Sequence, residues 1–408
     1  MNVAGIVAEY NPFHTGHAYQ IAQTRAQLGE DCGILAVMSG NWVQQADCAI
    51  ADKWLRARLA LMGGADLVLE LPTVWATASA EGFARGAVEI LGSTGVVTHL
   101  SFGSECGDVQ ALKQVAKCLD TEQYRAQLKT LVDSGLPFAA ARQQAAERVL
   151  GEGGTLLSKA NNNLGVEYIR ALNALKCPIR PMTVERRGSG HNVIAALGGA
   201  KPRFLSATQI RWDVLEGRWE DVEPYLVAGG RALLEKNGLG LPAIKRAERA
   251  ILAKIRTMTA RDWACLPDSG GSEGLPRRLE RAGRQCRSME EFFELAKTKR
   301  FTHARLRRLV LWAYLGLEAQ LRPEHPLYLR VLGFNDRGRE ILREMGEKSA
   351  LPVLTKPAHA KKLSPEGQAL FELECRCTDL YDLCFETVPV PGREWRMDPV
   401  RLVGEEHG

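Results

Sequence analysis

The chain has 408 residues, of which 45% are hydrophobic and 25% charged, and carries a net charge of +5. That length exceeds what one hydrophobic core ordinarily serves, and the composition excludes disordered and fibrous classes. No apolar run approaches the ~20 residues a bilayer-spanning helix needs, and the first residues lack the basic start and apolar stretch of a secretory leader, so a cytoplasmic protein with no membrane association is expected. Ten cysteines are scattered without a CxxC pair, which reads as reduced, mostly buried thiols.

In chain order, residues 2–10 (NVAGIVAEY) carry an apolar strand pattern, followed by a proline-containing turn and a helical run from Gly16 to Leu28. The run CGILAVMSG predicts a second strand, DKWLRARLALM a helix, and ADLVLELP a third strand closed by Pro72. Helix AEGFARGAVEIL and strand VTHLSFGSE continue the alternation. Continuous apolar strands alternating with helices predict a doubly wound α/β domain around a parallel, Rossmann-like sheet. Helical patterns dominate from Asp108 to about Leu175, after which RPMTVERR supplies another strand and SATQIRWDVLEG another helix start. Beyond residue 220 the pattern is mainly α-helical, interrupted by the loop-like DSGGSEGLP and by the strand-like YLRVLGF near the end. Two domains follow from this reading, residues 1–220 and residues 221–408.

The positive charge is concentrated. From Ala243 to Leu311 there are 17 Lys and Arg against 8 Asp and Glu, the footprint of a polyanion-binding surface or of a solvated helical face. Its densest part holds Lys297, Lys299, Arg300, His303 and Arg307, with Lys299, Arg300, His303 and Arg307 at helical spacing. A basic helix of this kind would contact RNA phosphates without reading bases.

His14-Thr15-Gly16-His17 lies just past the first strand, where a helix begins. Open α/β sheets bind ligands at that end of their strands. A helix N-terminus offers free amides and partial positive charge to phosphate, Gly16 permits close approach, and the imidazoles can donate hydrogen bonds as negative charge grows. No GxxxxGK[ST] run is present, so a Walker-type site is excluded. Ser206-Ala207-Thr208-Gln209-Ile210-Arg211 starts a later helix. Its Arg211 would place a permanent positive charge on the β- and γ-phosphates, with Ser206 and Thr208 at capping positions. His14, His17 and Arg211 are therefore the candidate catalytic residues. Asp66, Glu70 and Glu105 are the carboxylates to inspect for magnesium, although each is equally at home in a strand or helix cap, and no metal ligand is assigned.

An early HxGH paired with a late SATQIR resembles the HIGH-type nucleotidyltransferases. The ordered blocks GIVAEYNPFHTGH, SGNWVQQADCAIADKW, GADLVLELP, FGSE, NNNLGVEYIRAL, KTKRFTHARLRRLVLWAYLGL, YLRVLGFN and CTDLYDL resemble, over nearly the whole chain, the bacterial tRNA(Met) cytidine acetate ligases. The resemblance implies an ATP-dependent ligase that activates acetate as acetyl-adenylate and acetylates N4 of the wobble cytidine of elongator tRNA(Met), with Mg2+ accompanying the nucleotide. It implies that ATP is held by Val7, Ala8, Glu9, Tyr10, Asn11, Pro12, Phe13, His14, Thr15, Gly16, His17, Ala18, Tyr19 and Gln20. Gly103, Asn161, Arg186, Ser206, Thr208 and Arg211 would complete that site, and Lys297, Lys299, Arg300 and Arg307 would contact tRNA. On the residues alone, Gly103 reads as a turn of the chain, Asn161 as a helix cap and Arg186 as a residue on a solvated strand. This chain departs from the family pattern SGxFxQRGEPA, with Gln45, Ala46 and Cys48 in place of arginine, glycine and proline. It also has Ala160 before Asn161-Asn162, and His191-Asn192 where the family has YHD. A small-molecule adenylyltransferase and a non-catalytic RNA-binding protein remain the alternatives.

Overall fold

The computed structural model describes residues 1–186, 204–236, 238–269, 274–298 and 301–402. Its scaffold is a sheet built from β1 (Val3–Ala8), β2 (Gly33–Ser39), β5 (Leu67–Leu71), β6 (His99–Ser104), β7 (Arg180–Glu185), β8 (Leu329–Phe334), β9 (Val353–Leu354) and β10 (Val400–Arg401). A small antiparallel hairpin, β3 (Trp42–Val43) and β4 (Asp47–Cys48), stands apart from it. β2 and β5 are buried at every position, as strands covered by helices on both faces must be.

The sheet order is β10-β8-β5-β2-β1-β6-β7, with β9 beside β8. β1 pairs in parallel with β2 on one side and with β6 on the other. The chain therefore proceeds from β1 outward to β2 and β5, then crosses back to place β6 and β7 on the opposite flank. That reversal opens a crevice beyond the carboxyl ends of β1 and β6, where the two sets of connections diverge.

The expected boundary near residue 220 divides the chain by composition, whereas the sheet draws on both sides of it. β8 pairs antiparallel with β5, Leu67 opposite Phe334, and β10 continues the edge beside β8. Between these contributions lies a helical region that includes Glu248–Thr257, Leu275–Gln285, Met289–Ala296 and His303–Leu315. Helix His303–Leu315 buries Leu306, Leu309, Val310 and Trp312, and Trp312 Nε1 donates to Thr77 Oγ1 at 2.8 Å. Its apolar face thus packs on the α/β body.

Buried charge also joins the two parts. Lys53 Nζ lies 2.7 Å from Glu70 Oε1 and 2.6 Å from Glu394 Oε2. Glu374, on helix Pro365–Asp382, accepts from both the amide and the hydroxyl of Thr73 at 2.7 Å. Charges taken out of water contribute little net stability while paired but are costly when one partner is lost. All ten cysteines are free thiols, and seven are buried. Among the described residues no helix is long and apolar enough to cross a membrane.

Candidate active site

The loop after β1 is locked before it reaches the histidines. Arg56 is wholly buried and donates to the carbonyls of Glu9 at 2.6 Å, Ala51 at 2.9 Å and Ser39 at 3.0 Å, and also to that of Gly40. Four carbonyls around one guanidinium hold the ends of β1 and β2 together, in the fork geometry only arginine offers. Asn11 Oδ1 accepts from the Ile50 amide at 2.8 Å, and the Asn11–Pro12 peptide is cis. Phe13 is fully buried against Gly63, where an added Cβ would lie 2.1 Å from the ring.

His14 is the N-cap of helix Thr15–Leu28. Its Nδ1 accepts from the Gly16 amide at 3.0 Å, while its own amide donates to Nδ1 of His17 at 3.2 Å. Two rings whose Nδ1 atoms accept must carry their protons on Nε2 when neutral. Burial and the nearby Arg186 and Arg211 charges push His14 down to about 4. Burial, His14 and Arg186 hold His17 well below the usual histidine range. The rings lie 3.9 Å apart, centroid to centroid, so the helix entrance presents two neutral imidazoles with Nε2–H donors. Gly16 makes room for this arrangement, since a Cβ there would sit 2.8 Å from His14 Cε1.

Arg211 arrives from helix Ala207–Leu215. Its Nη1 donates to the Asn11 carbonyl at 2.9 Å and its Nη2 to Thr208 Oγ1 at 3.2 Å, which joins the two sequence motifs physically. Ser206 caps that helix through the Gln209 amide at 3.2 Å. Arg186 follows β7, with its stem across Gly103, where an added Cβ would lie 3.2 Å from Arg186 Cγ. Gly103 therefore admits the arginine.

Asn161 opens helix Ala160–Ala174 and donates through Nδ2 to Glu105 Oε1 at 2.7 Å. Glu105 also accepts the Asn162 amide at 2.8 Å, and Asn162 Oδ1 accepts the Glu105 amide at 2.9 Å. Although burial alone would raise it, the bonds from Asn161 and Asn162 hold the Glu105 carboxyl below its ordinary range. The other two carboxylates named for magnesium are committed as well, Asp66 to Arg25 at 2.8 Å and Glu70 to Lys53. Among the described residues no group of three His, Cys, Asp or Glu side chains is placed to hold a metal ion.

These groups surround an open cleft of about 910 Å³ lined by Val7, Ala8, Glu9, Tyr10, Asn11, His17, Gln20, Gly103, Asn161, Arg186 and Arg211. It adjoins a second lobe of about 490 Å³ lined by His14, Gly16, His17, Tyr19, Gln20, Gly103 and Arg186. Pro12, Phe13, Thr15, Ala18, Ser206 and Thr208 line neither lobe. Sequence reasoning missed Gln44, Phe83, Phe102, Leu164 and Tyr168, which line the larger lobe. Only the helical spacing of Asn161, Leu164 and Tyr168 signals a shared face; the others come from separate elements.

The basic segment is divided. Lys297 is exposed and follows helix Met289–Ala296, whereas Arg307 lies within His303–Leu315. Lys299 and Arg300 lie outside the described residues, as do His191 and Asn192. Arg307 Nη2 is 3.3 Å from Asp47 Oδ2 in the hairpin.

The HIGH nucleotidyl transferase family model matches residues 1–392. The chain belongs to this family. It is 36% identical over 412 residues to the tRNA(Met) cytidine acetate ligase of Thermoanaerobacter sp. (strain X514), covering 98% of this chain and 100% of that protein. The Clostridium perfringens tRNA(Met) cytidine acetate ligase is 32% identical, covering 96% of this chain and 97% of its own. Among solved structures, Thermotoga maritima TmcAL in its apo form has a TM-score of 0.91 at 35% identity, covering 99% of this chain and 100% of that one. The same protein bound with alpha-thio ATP has a TM-score of 0.89. The family match and these structures accord with the doubly wound fold and mainly helical later region expected from the sequence.

Proposed function

We propose that this enzyme is a tRNA(Met) cytidine acetate ligase. It condenses acetate with ATP to acetyl-adenylate and pyrophosphate, then transfers the acetyl group to N4 of the wobble cytidine of elongator tRNA(Met). The observation that carries the reading is the neutral His14–His17 pair at two adjoining lobes, Arg186 lining both and Arg211 the larger, in a chain that aligns end to end with ligases of that name. In the first step an acetate oxygen attacks the α-phosphorus and the bond to pyrophosphate breaks. His14 and His17 donate from Nε2 to oxygens gaining charge, and Arg211 supplies a fixed positive charge there. The donors are preorganised, because Nδ1 of each ring is already committed to a backbone amide.

ATP is the substrate nucleotide. We assign its binding to Val7 through Gln20 together with Gly103, Asn161, Arg186, Ser206, Thr208 and Arg211, with Thr208 acting through its bond to Arg211 and Ser206 by capping the helix that carries Arg211. The carboxylates singled out by sequence do not fit a magnesium site, so an ion accompanying ATP would be held by phosphate oxygens and water. Residues 1–220 form the nucleotide-binding part and 221–408 the part that carries tRNA, with Lys297, Lys299, Arg300 and Arg307 contacting phosphates. The enzyme works in the cytoplasm, where its tRNA substrate is.

The test is incubation with radiolabelled acetate, ATP and total tRNA, omitting each in turn. ATP-dependent label on tRNA is expected. Label without ATP, or AMP formation with no label on tRNA, overturns the reading.

A further inference from the structure

The larger lobe of the cleft contains a carboxylate to which the adenylation chemistry above gives no proton-transfer role. Glu9 follows β1 directly and is half-buried at the cleft wall. One oxygen, Oε1, accepts the Gln44 amide from the hairpin at 2.8 Å, and the residue lines the cleft. Lining the same lobe are Phe83, Phe102, Leu164 and Tyr168. Phe102 and Tyr168 are 5.7 Å apart between ring centroids. Gly165 allows Phe102 to lie against the helix, since a Cβ there would sit 2.5 Å from its ring.

A negative group beside an apolar, aromatic wall is the wrong place for triphosphate. Phosphates are drawn instead to the helix entrance and the two arginines. The same combination suits a flat heterocycle bearing an exocyclic amine, which would stack on the aromatic side chains while the carboxylate accepts from the amine, as carboxylates do from cytosine N4. We infer that this lobe receives the acceptor cytosine and that Glu9 takes the proton its N4 loses on acetylation. The inference rests on the ligase reading above.

The step balances. The N4 lone pair forms a bond to the acetyl carbonyl carbon, the bond from that carbon to the AMP oxygen breaks with its electrons leaving on AMP, and the N4 proton passes to Glu9. Burial raises the Glu9 carboxyl above its ordinary range, against the Gln44 amide and the Arg211 and Arg56 charges. A more basic carboxylate is the better acceptor for such a proton. Arg211 and Arg56 act on Glu9, Tyr168 is influenced in return, and Tyr10, His17 and Arg186 line the same lobe.

The experiment uses full-length enzyme and Glu9→Gln, which preserves an oxygen for the Gln44 amide. Enzyme loaded with acetyl-adenylate is mixed with tRNA in a single turnover, and acetate-dependent pyrophosphate exchange is measured alongside. Transfer is expected to fall by about 100-fold, well beyond any fall in exchange. The wild-type transfer rate should rise with pH through an ionisation above the usual carboxylate range, and that ionisation should vanish in the variant. Equal losses in both assays would show that Glu9 serves nucleotide binding alone and overturn the proposal, as would unchanged transfer or an unchanged pH profile. Wild-type enzyme that exchanges pyrophosphate but never labels tRNA would overturn the ligase reading itself, and this proposal with it.

Discussion

Arg307 Nη2 lies 3.3 Å from Asp47 Oδ2, and this contact ties the basic helix His303–Leu315 to the hairpin whose Gln44 amide holds Glu9. The region expected to hold tRNA therefore touches the loop that shapes the cleft. Both side chains are partly exposed, 34% and 41%, so the pair contributes at most about 1 kcal/mol to stability.

Replacing Arg307 with Ala should accordingly leave the unfolding midpoint nearly unchanged. It should weaken tRNA binding and reduce the dependence of log affinity on log salt by about one. Filter binding across a salt series checks this. An unchanged slope would remove Arg307 from the phosphate contacts.

His17→Ala should lower acetate-dependent pyrophosphate exchange by roughly 100-fold, the usual loss when one preorganised donor is removed. Affinity for tRNA should change little, because His17 sits at the helix entrance and not on the basic surface. Unchanged exchange would refute its assignment.

The depressed histidines also set an acid limit. His14 is held neutral in the fold, with a pKa of about 4 against an ordinary value of 6.5. A folded-state pKa below the unfolded one gives stability that is present above about 6.5 and lost as pH falls through that value towards 4. For His14 the loss amounts to about 3 kcal/mol at most. His14→Asn keeps a side-chain cap without a titrating ring, so its urea midpoint should fall less than that of the wild type over this window. Parallel curves for the two proteins would contradict the assignment.

Ala46 occupies the turn of the hairpin with φ of +57°, the left-handed region in which a Cβ is strained. Family members place glycine there, by resemblance. Ala46→Gly should raise stability by about 1 kcal/mol, read as a shift in the urea midpoint. Because Gln45 beside it is exposed, the substitution should leave pyrophosphate exchange unaltered. A lower midpoint would show that the turn is not strained by Ala46.

By itself the sequence determined the alternating strands and helices from Val3 to Ser104, because buried parallel strands demand continuous apolar runs and their helices demand 3.6-residue periodicity. It also placed His14 and His17 at a helix start and Arg211 in a second, since such motifs are local in the chain. Tertiary structure alone decided that Arg211 reaches the Asn11 carbonyl 200 residues away, that β8 closes on β5, and that Phe83, Phe102 and Tyr168 line one cleft. Only it shows that Gly16 makes room for His14 and Gly103 for Arg186, and that Glu105 is spent on a helix cap. Each of these depends on which side chains meet across distant elements. Close packing settles that in three dimensions, and periodicity along one dimension does not carry it.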